Sequence, residues 1–442
     1  MSQTAALTQK NLSGDIWGGF AAMLVALPSA IAFGVTIFSP LGADFGAKGA
    51  LAGMLGVTAL GLIAATFGGT QRLISAPCAP AAAVLSALTI QMTQQGAGVG
   101  AVVLTLFLVA FISSLVQISF GLLRIGELIK YMPFPVVSGY LSGVGLIIVM
   151  SQLPKWMALP KGMNWWQGLH AMELWQAPSL IVGAATAAFM VWAPHISKRV
   201  PAVIVGLLGG MATYWVLALT TFPELRNLHD NPFIIGPLAV GGEGFFESLL
   251  DPWKSLSESG MPPWTYIAFP AVTLAVLLSI DTLKTCVVLD AMTGSRHDSN
   301  KELIGQGLGN LASSLIGGAP GAGTMGATLV NKASGGTTYL SGVFQGIWSL
   351  LAILLLTSLI AWVPVSALAA LLIVIGVKMI DWHSLQLLRA KDTMLDFAVI
   401  LLVVIVANTV SLIAASGVGV AMAIMLFLRE QIHTSTIRRK SY

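Results

Sequence analysis

Apolar runs of bilayer-spanning length recur along almost the whole chain, and few folds accommodate that pattern. Crossing ~30 Å of hydrocarbon takes about 20 residues, and in lipid every backbone polar group needs an internal partner, so each run is expected to be a helix. The sequence predicts an all-α membrane protein with fourteen transmembrane segments, near 16–37, 47–67, 78–92, 99–121, 133–152, 178–193, 201–222, 264–289, 303–317, 324–332, 336–360, 364–380, 394–410 and 412–428. The third and tenth are too short to span. Charged residues make up 9% of the 442 positions and apolar ones 56%, where a soluble chain carries about a quarter charged residues. A water-soluble domain is excluded, and with a net charge of only +4 so is a nucleic-acid-binding surface.

The first run is too long for a signal-peptide core and is read as retained. With an even number of spans and a cytoplasmic N-terminus, most of the 22 Lys and Arg residues face inside, from Lys10, Arg72 and Arg124 to Arg438, Arg439 and Lys440. Lys48, Lys155, Lys161, Arg226 and Lys254 fall outside. That is the positive-inside pattern of an integral protein of a bacterial inner membrane with both termini in the cytoplasm. The external loop 223–263 is acidic and solvated, and Trp156, Trp165, Trp166, Trp175, Trp253 and Trp264 cluster outside as interfacial anchors.

The two short segments share an unusual approach. Gly68-Gly69-Thr70-Gln71-Arg72-Leu73-Ile74-Ser75-Ala76-Pro77 precedes the third, and Gly317-Gly318-Ala319-Pro320-Gly321-Ala322-Gly323 precedes the tenth. One segment is odd-numbered and the other even-numbered, so they cross in opposite senses, as two inverted seven-span repeats require. Half helices starting near Cys78 and Thr324 would aim unpaired N–H groups and positive dipole ends at each other and attract an anion between them. The alternative is a pair of ordinary Gly/Pro kinks, since Ala79, Ala81, Ala82, Ala83 and Gly326 also suit close helix packing.

Asp281 and Lys284 lie inside the eighth segment, where each charge costs roughly 3 kcal/mol on insertion scales, so both should face protein or water. Asp281 and Thr285 share a helical face and could hold a small cation or relay a proton. Lys284, three residues on, could instead neutralise Asp281 directly. No Ser-His-Asp order, Gly-Lys-Thr phosphate loop or adenine-type motif occurs, Cys78 and Cys286 lack metal-ligand spacing, and the six histidines form no metal set. ATP hydrolysis and covalent catalysis therefore have no support, and the chain reads as a transporter rather than an enzyme. A channel lined by the same dipoles is the alternative.

Residues 296–311, Arg-His-Asp-Ser-Asn-Lys-Glu-Leu-Ile-Gly-Gln-Gly-Leu-Gly-Asn-Leu, followed by Gly317–Thr324 and Ser334-Gly335-Gly336-Thr337-Thr338, resemble the sulfate permease (SulP) family. Asp15–Phe20, Leu27–Ala30 and Leu73–Pro77 resemble its first and third spans, and within the family the chain is most similar to the bicarbonate-transporter type. The resemblance implies a secondary transporter of a small inorganic oxyanion, with bicarbonate, sulfate and dicarboxylate all open, working by elevator-type alternating access as a homodimer. It implies a core domain (1–128 and 263–361), a gate domain (129–262 and 362–428) and a cytoplasmic tail (429–442). It further implies substrate binding at Cys78, Ala79, Thr324, Met325, Gly326 and Ala327, and a coupling cation, sodium in the bicarbonate type, near Asp281, Thr285 and the Gly323 carbonyl.

The departures bear on coupling. Cys78 stands where the bicarbonate type has threonine, Ala76 replaces a glutamate, and Met325 replaces a threonine hydroxyl near the sodium. Lys284 would repel a second cation beside Asp281 or serve as its charge partner, so symport with sodium, symport with a proton and no coupling all stay open. The chain is expected to have no room after residue 428 for the family's cytoplasmic STAS domain.

Overall fold

The computed structural model describes residues 12–42, 45–129, 134–160, 162–196, 200–228, 231–238, 262–382 and 394–409, with single positions at 418, 422 and 425. Within these, the chain runs α1 (Leu12–Phe38), α2 (Phe45–Phe67), β1 (Ser75–Pro77), α3 (Ala79–Gln94), α4 (Val99–Leu122), α5 (Phe134–Trp156), α6 (Ala177–Ile196) and α7 (Ala202–Thr220). It continues with α8 (Ala268–Thr293), α9 (Ser299–Leu315), β2 (Gly321–Gly323), α10 (Met325–Ala333), α11 (Leu340–Leu355), α12 (Val365–Met379) and α13 (Met394–Thr409). A helix covers most of each predicted segment from the first to the thirteenth. The fourteenth, both termini, the tail and loop residues 239–261 lie outside the described residues.

Two boundaries move for local reasons. α9 begins at Ser299 rather than 303 because the Asp298 carboxylate accepts from the amides of Asn300 and Lys301, both at 3.0 Å, so the cap and not the first apolar residue sets the start. The predicted run 336–360 divides into α11 and a short helix, Thr357–Ala361. α2 is not uniform either: Leu60–Ala64 forms a π segment, the kind of one-turn bulge that shifts a helix's packing face.

By length and composition six of the described helices could cross a membrane, among them Leu12–Leu41, Val99–Leu122 and Trp264–Thr293. Burial sorts them. α1 and α2 are largely enclosed, whereas α6, α7 and α11 expose Phe189, Val191, Trp192, Leu208, Val216, Leu219, Leu354 and Leu355. Such continuous apolar surface belongs against lipid.

The helices pack mainly within two sets. α1 to α4 pack with α8 to α11, and α5 to α7 pack with α12 and α13, while α1 and α3 make the lighter contacts between the sets. The first set is drawn tight by glycine. A Cβ on Gly34 would sit 1.9 Å from the carbonyl of Gly49, and one on Gly53 would sit 2.1 Å from that of Ala30, so α1 and α2 touch backbone to backbone. Gly53→Ala should therefore destabilise the fold by about 1–3 kcal/mol. Gly98→Ala, where an added Cβ meets nothing within 4 Å, should leave the melting temperature of the detergent-solubilised protein unchanged. Equal melting temperatures for the two variants would refute the close approach.

Candidate functional site

Two breaks in helical structure meet inside the first helix set. Ser75, Ala76 and Pro77 of β1 pair antiparallel with Gly323, Ala322 and Gly321 of β2. The Thr324 amide extends the pairing by donating to the Ile74 carbonyl at 2.8 Å, and the Ile74 amide donates to Thr328 Oγ1 at 3.1 Å. Glycine is needed here by space: a Cβ on Gly321 would lie 2.1 Å from the Ala76 carbonyl. Extended backbone at membrane depth has to find partners inside the protein.

The remaining partners come from one face of α9. Glu302, Gln306, Asn310 and Ser313 recur at helical spacing and are all buried. Glu302 Oε2 accepts from the Gly69 amide at 2.9 Å, and Gln306 donates to Ser75 Oγ at 2.6 Å and to Glu302 Oε1 at 2.9 Å. Asn310 holds Gly321 from both sides, accepting from its amide at 2.8 Å and donating to its carbonyl at 3.0 Å. Ser313 donates to the Ala319 carbonyl at 2.9 Å, and Gln117 of α4 accepts from Asn310 at 2.9 Å. At the other end, buried Asp15 accepts from the amides of Thr337 and Thr338 at 2.6 and 3.0 Å, while Asn331 of α10 donates to the Arg72 carbonyl at 2.8 Å.

These supporting residues were not singled out in the sequence. Their signal is present there as polar side chains at 302, 306, 310 and 313 in a membrane segment, a stripe only buried partners explain.

The site residues sit where the strands turn into helix. Cys78 precedes α3 and Thr324 precedes α10, both in extended conformation, and neither helix start has a side-chain cap. The first-turn N–H groups of a helix have no intrahelical acceptor, so those of Ala79 in α3 and of Met325, Gly326 and Ala327 in α10 point out of the helix ends. Cys78, Ala79 and Ala327 are buried, Thr324 and Met325 half-buried. Gly326 is exposed, and a Cβ there would meet nothing within 4 Å. Open space therefore reaches an uncapped helix start.

α8 supplies the charges. Lys284 Nζ lies 2.9 Å from Asp281 Oδ1, and the pair is partly shielded, with side chains 33% and 16% exposed. The Thr285 hydroxyl lies 3.0 Å from the Asp281 carbonyl and 2.9 Å from the Gly323 carbonyl, while Thr282 Oγ1 accepts from the Gly323 amide at 3.0 Å. Gly323 is thus clasped on both sides by α8, one residue before Thr324. The direct pairing of Asp281 with Lys284 is the arrangement present, and the Thr285 hydroxyl turns to backbone carbonyls rather than to the carboxylate.

The turn from α8 to α9 also assembles a chain that the linear sequence did not disclose: Ser299 Oγ lies 2.9 Å from His297 Nε2, and His297 Nδ1 lies 2.6 Å from Asp290 Oδ2. Asp290 further accepts from the His297 amide and the Ser295 hydroxyl, both at 2.9 Å. Ser299 is buried at the first turn of α9. The chain closes a turn. Among the described residues no group of three or more His, Cys, Asp or Glu side chains could hold a metal ion.

The comparisons with known proteins agree with this layout. The bicarbonate transporter BicA of Picosynechococcus sp. is 36% identical over 427 residues, covering 94% of this chain and 70% of that protein. The solved transmembrane domain of a cyanobacterial BicA superposes with a TM-score of 0.75 at 31% identity, covering 92% of this chain and 98% of that one. SLC26A9, at 17% identity and a TM-score of 0.74, covers 97% of this chain and 67% of its own and shares the fold. The sulfate permease family matches residues 12–405, and its relatives are transporters rather than enzymes. The chain is an integral membrane transporter belonging to the sulfate permease family.

Proposed function

We propose that the protein carries a small inorganic oxyanion, bicarbonate or sulfate, across a bacterial inner membrane by elevator-type alternating access. The observation that carries this reading is a pair of uncapped helix starts, those of α3 and α10, tied together by the β1–β2 ladder, with open space beside Gly326. A helix N-terminus favours an anion by about 0.3–1 kcal/mol when exposed and up to ~2 kcal/mol when partly buried. Two such ends beside an ammonium amount to a few kcal/mol, far from the roughly 12 kcal/mol of nanomolar binding. That weakness suits a carrier, which has to release what it takes up.

The inverted repeat is supported by the antiparallel pairing of β1 with β2, which sets α3 and α10 as opposed halves of one site. In the proposed cycle α1 to α4 with α8 to α11 form the core and α5 to α7 with α12 and α13 the gate. The core carries the site because the strands, the α9 stripe and the α8 ion pair all belong to it. A homodimer, which the resemblance implies, would leave this core free to move.

Backbone N–H groups select charge more than shape, so the site alone separates bicarbonate from sulfate poorly. The 36% identity to a bicarbonate transporter favours bicarbonate. Purified protein in proteoliposomes should therefore show saturable uptake of radiolabelled bicarbonate, with sulfate as competitor. An anion current far above turnover-limited uptake would make it a channel instead. Gly326→Phe, which fills the open space without meeting a neighbour at its Cβ, should abolish uptake while the melting temperature stays at the wild-type value. Full uptake by that variant would remove the substrate from the α10 start.

A further inference from the structure

The ion pair in α8 lies in the same turn of helix that holds the approach to α10. Asp281, Thr282, Lys284 and Thr285 fall within five residues, and the two threonines clasp Gly323, one residue before the Thr324 start of α10. We infer that Lys284 is the resident counter-charge of the anion site, a tethered ammonium in the place a mobile cation would occupy, so that anion movement through this protein is independent of sodium. The inference rests on the anion-transport reading above.

The donor set does not fit a sodium ion. Sodium is a hard cation that asks for several oxygens, by the same ligand logic that holds for calcium and magnesium. The oxygens gathered here are the Asp281 carboxylate, the Thr285 hydroxyl and the Gly323 carbonyl. Asp281 Oδ1 accepts from Lys284 at 2.9 Å, and the Gly323 carbonyl accepts from Thr285 at 2.9 Å. Met325, the first residue of α10, has a side chain with a thioether and no oxygen. A sodium ion would have to share one carboxylate with an ammonium that the chain cannot release, and like charges at that separation repel strongly where water is scarce.

The ammonium can do what the ion would have done. It has three N–H donors and, among the described residues, one acceptor in Asp281, which leaves two for an oxyanion. One third of its side chain is exposed, so the ammonium is accessible to a solute. Asp281 then acts as a positioning residue, fixing the Lys284 ammonium on α8 while cancelling its charge when no anion is bound.

The test compares sodium with choline as the external cation, in proteoliposomes whose membrane potential is clamped at zero, alongside radiolabelled-sodium binding to purified protein. Wild-type uptake of bicarbonate or sulfate should be equal in the two salts, with no saturable sodium binding. Lys284→Ala should lose at least about tenfold of its uptake in choline, because it strands a shielded carboxylate, and should regain uptake and bind sodium when sodium is supplied. Lys284→Arg, which keeps the cation, should stay sodium-independent. Saturable sodium binding by the wild type, or uptake at least about tenfold faster in sodium than in choline, overturns the inference even if neither variant folds. Absence of uptake of both anions by the wild type would instead defeat the transport reading, and the sodium-binding comparison between wild type and Lys284→Ala would still decide the role of Lys284.

Discussion

Everything in the site follows from the rule that backbone polar groups inside a bilayer need partners. Two spans are interrupted, and each interruption would leave bare N–H and C=O groups at a cost of about 1–3 kcal/mol apiece. The chain meets that demand by pairing the interruptions with each other, Ser75 to Pro77 against Gly321 to Gly323, and by laying the polar face of α9 along them. The first turns of α3 and α10, among the described residues, have no side-chain cap and keep N–H groups free. The same constraint that forbids irregular backbone elsewhere thus leaves donors at two helix starts tied together by one ladder, and the proposed anion site rests on those donors and the open space at Gly326.

The supporting shell is as specific as the site. Asn310 makes the two hydrogen bonds to Gly321 that a neighbouring strand would make, and Thr282 and Thr285 do the same for Gly323. A two-stranded ladder of three residues is too small to stand alone. Here α8 and α9 replace the missing strands with side chains, which ties the geometry of the helix starts to helices that pack together in the same set. A site built this way moves with its scaffold or not at all, which is what the proposed alternating access would require of the core.

Much of this was legible in the sequence, and the limit has a physical cause. Length and hydropathy located thirteen of the described helices, because bilayer thickness fixes how many apolar residues a span needs. Paired Gly/Pro stretches located both interruptions, because a helix cannot pass through them. The α9 stripe was missed although Glu302, Gln306 and Asn310 were part of the family motif: their importance lies in which groups they reach, and Glu302 and Gln306 reach the Gly69 amide and the Ser75 hydroxyl more than 200 residues away, while Asn310 reaches Gly321 across the turn that follows α9. The start of α9 was placed late for a smaller reason, since the Asp298 cap is polar and an apolar count passes over it. The role of Asp281 was left between cation ligand and ion-pair partner, because spacing along α8 allows both and only the rotamer of Lys284 separates them.

A fixed lysine also constrains how such a carrier can be driven. With Asp281 and Lys284 paired, the empty core carries no net charge in its site, so its return through the membrane field costs little. The loaded core carries the anion's charge. Moving one negative charge inward against an inside-negative potential costs about 2.3 kcal/mol per 100 mV, a factor of roughly fifty in the gradient the carrier can sustain. A mobile sodium ion would cancel that term on every cycle, whereas a tethered ammonium cannot, because it returns with the core. On this reading, uptake of a monovalent anion needs its own concentration gradient, a proton, or the outward passage of a second anion through the same site. Exchange fits the geometry most simply, since two uncapped helix starts and an ammonium recognise charge without demanding a particular shape.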